Sequence, residues 1–254
     1  MIKYFGKIRL DHLTHGKTGQ YLKYAIGEIF LVVIGILIAI QINNWNQDRI
    51  QHKETKILLS SLKQDVEGDI KNLEEQKSGL RNRKDWADLI LKSLDDQSVQ
   101  DSTHFITAIT RVGWIMDYSQ TFPTYMEMVS SGKLSYIKSE TLKRKLANYL
   151  TEVEDYKQIV SSYNLGLKET ERLAIGHLNG NPVGSTLTNP KHDFIYTGIS
   201  FNLKTIEEDI EFYKSVKHIS FYTSVSIDFI SIWLITKAKE LKNLIVDELK
   251  TYQS

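Results

Sequence analysis

The feature that most constrains this chain is the run from Ala25 to Ile42, in which only Glu28 and Gln41 are strongly polar. A helix needs about 20 apolar residues to cross the hydrocarbon core of a bilayer. Residues 22–24 at one end and Trp45 at the other bring the run to that length. Tyr and Trp favour the headgroup zone. Glu28 stands within about one turn of the start, where its carboxylate reaches the interface at modest cost.

Charge sets the expected orientation. Lys3, Lys7, Arg9, Lys17 and Lys23 precede the run, against Asp11; Arg49, Lys53 and Lys56 follow it. The richer side stays in the cytoplasm. The expected plan is therefore a cytoplasmic basic flank over 1–24, a transmembrane signal anchor over 25–45 and a periplasmic domain over 46–254, in the inner membrane. A cleaved signal peptide would have a shorter apolar core and an A-x-A-like site, and "IAIQI" is not one. Ile2, Phe5, Ile8 and Leu13 among the basic residues suit a short amphipathic surface helix, but a flank that merely sets topology explains them as well and is preferred.

The segment after the run reads as all-α. Three prolines in 254 residues suit long helices. Over 46–94, Leu59, Val66, Leu73, Leu80, Ala87 and Leu94 recur every seven residues, with Leu62, Asp69, Gln76, Arg83 and Ile90 as companions. No Pro or Gly lies between Asn43 and Val66, so residues 25–94 are expected to form a nearly continuous helix. Residues 103–131 read as helical but broken at Gly113 and Pro123, with Ser102 or Thr103 as a cap. From Leu142 to Ala174 apolar positions alternate in fours and threes, behind Ser139 as N-cap, and three tyrosines on the seam need hydroxyl partners. "LNGNPVGSTLTNPKHDF" reads as a loop. Residues from about Thr205 onward read as helix again. Within it, "FYTSVSIDFISIWLIT" is 16 residues long and carries Asp228. At hydrocarbon depth that acid costs about 3 kcal/mol, so a buried bundle helix is expected rather than a second span. The whole suggests an elongated antiparallel bundle of four helices, one broken. A three-helix stalk with 103–138 as a cap is the alternative.

Motifs for chemistry are absent. Without cysteine there is no thiol catalysis and no disulfide. The seven histidines form no H-E-x-x-H, and "HGKT" and "SSGK" lack the first glycine of a phosphate loop. A net charge of +1 gives no reason to expect nucleic acid. No cofactor, metal or catalytic residue is nominated, and an enzyme is not expected.

Two segments remain as candidates. Glu28, Gly35 and Ala39 fall on one line of the membrane helix, a small-xxx-small face for close helix packing; an interfacial acid with small residues by chance is the equal alternative. In "TYMEMVSSGKL", Thr124 and Glu127 have capping-box spacing and Gly132 suits a left-handed helix end. A compact capped helix is preferred there over a binding role for Tyr125, Glu127, Ser130 and Lys133.

"MIKYFGKIR", "KYAIGEIFLVVIGILIAIQINNWN" and "TYMEMVSSGKLSYI" together resemble a family of single-span membrane proteins of Bacteroidota, domain-of-unknown-function family 6090. The resemblance implies an envelope location and brings no known activity. The expected function is a membrane-anchored periplasmic scaffold or regulatory interaction partner of envelope components. It would contact the bilayer and a protein partner, or a second copy through the membrane helix and bundle. The alternative is a ligand-binding sensor module working through a partner subunit.

Overall fold

The computed structural model describes residues 18–180, 186–189, 193–195 and 198–252. The N-terminal basic flank, with Ile2, Phe5, Ile8 and Leu13, lies outside the described residues. The described residues are all-α apart from four short strands, and the chain divides into two units that part between Lys56 and Ile57.

Helix α1 runs without interruption over Thr18–Asp95. In the first unit every residue from Ile26 to Ile50 is exposed. Two helices among the described residues are long and apolar enough to cross a membrane: the one containing the Ala25 run, and Ile210–Lys250.

The second unit is a bundle with four legs. Along α1 the apolar heptad residues expected to face inward are buried: Leu59, Leu62, Val66, Leu73, Leu80, Ala87, Ile90 and Leu94. The helix stops in a Schellman turn, with Ser98 N–H donating to Ser93 O and Gln97 N–H to Leu94 O. Gln97 holds the left-handed position, φ 50°, where Gly is usual.

The second leg returns along α1. It consists of α2 (Ser102–Arg111), a stretch without helix or strand over 113–122, α3 (Pro123–Ser130) and a 3₁₀ turn (Lys133–Tyr136). It descends as α1 ascends, since Trp114, Asp117 and Thr124 meet Arg83, Gln76 and Asp65 in turn. The leg is broken at Gly113 and Pro123 as expected, and between them runs a strap with no helix of its own. Asp101, rather than Ser102 or Thr103, caps α2, accepting from Thr103 N–H and His104 N–H. At Gly113 the strap passes so close to the next leg that a Cβ would stand 2.6 Å from Glu171 N.

The third leg is α4 (Glu140–Gly176), capped by Ser139 as the sequence suggests. It runs parallel to α1: Tyr149 meets Asp69 and Tyr163 meets Arg83. Its seam is buried from Leu142 to Ala174, with Val160 and Tyr163 half-buried. The segment expected to be a loop contains short antiparallel pairs instead. β1 (Leu178–Asn179) pairs with β4 (Ser200–Phe201), and β2 (Thr186–Asn189) with β3 (Asp193–Ile195).

The fourth leg is also more interrupted than the sequence suggests. A short α5 (Leu203–Glu207) ends at Glu208, and Asp209 caps a new helix, α6 (Ile210–Asp228). A π turn (Phe229–Leu234) leads into α7 (Ile235–Lys250). The turn has a reading in the sequence: Ile230, Leu234 and Ala238 face inward at steps of four and four, where the alternation elsewhere is four and three. One extra residue is absorbed there. The leg runs antiparallel to α4, with Asp209 at His177, Ser215 at Thr170, Lys237 at Glu152 and Glu240 at Lys145. Its end returns to the cluster that holds Leu58, which Tyr252 joins, and Glu248 accepts from Lys138 N–H at 2.8 Å.

Two apolar clusters fill the bundle. One extends from Leu58 to Leu80 on α1, the other from Ala87 to Leu94. Between them lies a polar layer of Arg83, Tyr163, Asn164 and Thr223.

Candidate functional site

Polar residues in and beside the α1 stripe hold the strap. Asp65 Oδ2 accepts from Thr124 N–H at 3.0 Å. Asn72 Nδ2 donates to Gln120 Oε1, Gln76 Nε2 to Asp117 O and Arg83 Nη2 to Trp114 O, each at 2.5 Å. From the opposite side, Asn164 Nδ2 on α4 donates to Asp117 Oδ1 at 2.9 Å. These bonds replace the backbone ladder that a strand would have, so an extended segment stays ordered against a helix.

Asp69 is the centre of the arrangement. It is fully buried, and the hydroxyls of Tyr118 on the strap and Tyr149 on α4 donate to its two oxygens. Burial pushes its carboxyl above the ordinary aspartate value; the two tyrosine bonds and the charge of Lys157 pull the other way without prevailing. The same burial, with the Asp69 charge next in weight, drives both tyrosines well above their usual range. Arg83 is 2% exposed, and burial lowers its pKa while Tyr163, 5.9 Å away, opposes the shift.

Beside the strap, α1 leaves an open groove of about 580 Å³. Trp86, Asn82, Gly79 and Glu75 line it from α1, and Trp114, Met116, Asp117 and Ser119 from the strap. Met116 lies on Gly79, where a Cβ would come 2.1 Å from its terminal methyl. Trp114 is 40% exposed, with the Arg111 guanidinium 4.1 Å from its ring centre. The pairing is a cation–π contact.

The residues singled out from sequence do not meet at this groove. Glu28, Gly35 and Ala39 are exposed on the first unit, and nothing lies within 4 Å of a Cβ built at Gly35. The capping box is not formed. The N-cap of α3 is Phe122, without a side-chain bond, and Thr124 N–H is taken by Asp65 from α1. Thr124 is buried, Tyr125 half-buried against the first cluster, and Glu127 exposed, its carbonyl accepting from Ser131 N–H. Gly132 has φ 72° and opens the 3₁₀ turn that begins with half-buried Lys133. Among the described residues no three His, Asp or Glu side chains are grouped to hold a metal ion. The groove was missed because it joins residues about 40 apart; the polar breaks at Gln76 and Arg83 were its visible trace.

No curated protein and no solved structure matches the chain. Residues 28–206, from the Ala25 run into α5, match the model of a family of unknown function, DUF6090, and the chain belongs to that family.

Proposed function

We propose that the chain is a membrane-anchored interaction protein of the cell envelope. The Ala25 run holds it in the cytoplasmic membrane with the N-terminus inside. The bundle acts in the periplasm as a scaffold or regulatory partner of other envelope proteins, with no catalysis of its own. The supporting observation is a largely exposed apolar stripe on the fourth leg. Phe221, Val225 and Trp233 are exposed along one face, with Phe229 between them half-buried against the first cluster, and Ile232 beside them is 65% exposed. The rings are in contact: Phe221 with Tyr222 at 5.4 Å and Phe229 stacked on Trp233 at 6.5 Å. Contiguous exposed apolar surface marks interaction sites. The opposite side of the same leg, with Phe212, Val216, Ile219, Ile230 and Leu234, is buried in the bundle. That arrangement leaves a protein surface, rather than lipid, as the better cover.

A photo-crosslinking residue at Ile232 in cells tests the reading, with Lys71 as control. It should join to one discrete protein from Ile232 and not from Lys71. Single cysteines at Gln51 and Glu240 should both react with a membrane-impermeant reagent once the outer membrane is opened. Protection of Glu240→Cys would put the fourth leg in the bilayer and overturn the reading. The groove beside the strap favours a second reading, a ligand-binding module that works through a partner subunit.

A further inference from the structure

We propose that the groove between α1 and the strap binds a small organic cation with a flat apolar body, an aryl- or alkylammonium; the inference rests on the second reading above. The volume of about 580 Å³ is in the range of small-ligand sites. Two indoles, Trp86 and Trp114, supply apolar faces. A ring as large as Trp114, 40% exposed in a strap otherwise pinned at both flanks, leaves apolar area to be covered. The Arg111 guanidinium already covers one face of Trp114, so a ligand cation has the other face and the Trp86 ring.

Charge selects the class. Glu75 and Asp117 are the acids of the wall. Its cation, Arg83, is 2% exposed and donates to Trp114 O. An anionic ligand would therefore meet two carboxylates and a guanidinium turned inward. An ammonium would meet the Asp117 carboxylate, the Glu75 carboxylate that Lys71 approaches at 4.0 Å, and ring faces. Asp117 is also held in place. Its Oδ1 accepts from Asn164 and its carbonyl from Gln76, while its second oxygen has no protein partner among the described residues. Fixed position lowers the ordering cost of binding.

Three probes of one shape test this on the full chain in detergent micelles: benzylammonium, benzyl alcohol and benzoate. The readout is the tryptophan indole N–H signals by NMR, assigned with Trp86→Phe and Trp114→Phe. Benzylammonium should shift the Trp86 and Trp114 signals, leave Trp45 and Trp233 in place, and bind about tenfold more tightly than the alcohol. Asp117→Asn keeps an acceptor for Asn164; it should cut the affinity for benzylammonium about fivefold and leave the alcohol unchanged. Glu75→Gln, on the exposed side of α1, should act in the same direction. Benzoate binding as tightly as benzylammonium would overturn the cation class and leave the groove as a ligand site. Silence of both indoles toward all three probes, in a chain of unchanged helicity, would overturn the site and the second reading together.

Discussion

Asp69 gives the sharpest test of how the bundle is held. Truncation to Ala removes the acceptor of two buried hydroxyls, Tyr118 and Tyr149. Each unpaired buried donor costs about 1–3 kcal/mol, so the gross loss is about 2–6 kcal/mol. Relief from burying a carboxylate offsets part of it, which leaves a net loss of about 2–3 kcal/mol. Asp69→Asn retains one carbonyl oxygen and should cost about 1 kcal/mol near pH 5. The pH dependence separates the two contributions. Because burial raises the folded carboxyl pKa, the folded state holds the proton more tightly than the unfolded chain. That stability is fully present below the ordinary value of about 3.9 and is lost as the pH rises through the raised folded value. The amide of the Asp69→Asn variant does not titrate. The advantage of the wild-type protein over that variant should therefore shrink from pH 4 to pH 8. Guanidinium melts of the full chain in mild detergent, followed by near-ultraviolet tyrosine dichroism, measure it. An advantage that widens with pH would mean that the tyrosine bonds outweigh burial and that the sign is wrong. A loss below about 0.5 kcal/mol for Asp69→Ala would mean that the hydroxyls find other partners.

Other outcomes follow from the backbone. Gln97→Gly should raise stability by about 1 kcal/mol, since the left-handed end of α1 penalises a side chain; a lower melting temperature would refute it. Gly113→Ala should lower stability by about 2 kcal/mol or more, because the backbone of Glu171 cannot yield as a side chain would; an unchanged melt would show that the strap is free to lift there. Asp65→Ala should cost about 1 kcal/mol by freeing the first turn of α3, whereas Glu127→Ala, outside any cap, should cost nothing measurable by the same melts.

Much of the bundle was legible because its stripes are long. The leucine heptad of α1 and the four–three alternation of α4 name the buried faces almost residue by residue. Caps that depend on neighbours were legible at Ser139, where donor and acceptor are three residues apart. They were not legible at Thr124, whose partner Asp65 is 59 residues away. The strap has no period to read, since side chains of other legs hold it. Polar Asp69, Gln76 and Arg83 look like gaps in a stripe, and only the fold shows that each gap is filled by a tyrosine hydroxyl or a strap carbonyl. The interruption at Glu208 and Asp209 was hidden because flanking residues on both sides keep helical character.

The last leg runs back along α1 past Glu67 into the cluster that holds Leu58, so the two ends of this unit lie at the same end of the bundle. This has a mechanical consequence. Tension applied between residues 57 and 252 peels the first and last legs apart from that end. Contacts such as Lys242 with Glu67 break before Ser220 with Asp88 and Tyr213 with Asp95. Load falls on one contact at a time, as in a zipper, and the rupture force is low. The same domain pulled between its far turn at residue 97 and residue 252 would load many contacts at once and resist more strongly. A protein built this way yields readily to a pull on its tail while standing firm against one along its length.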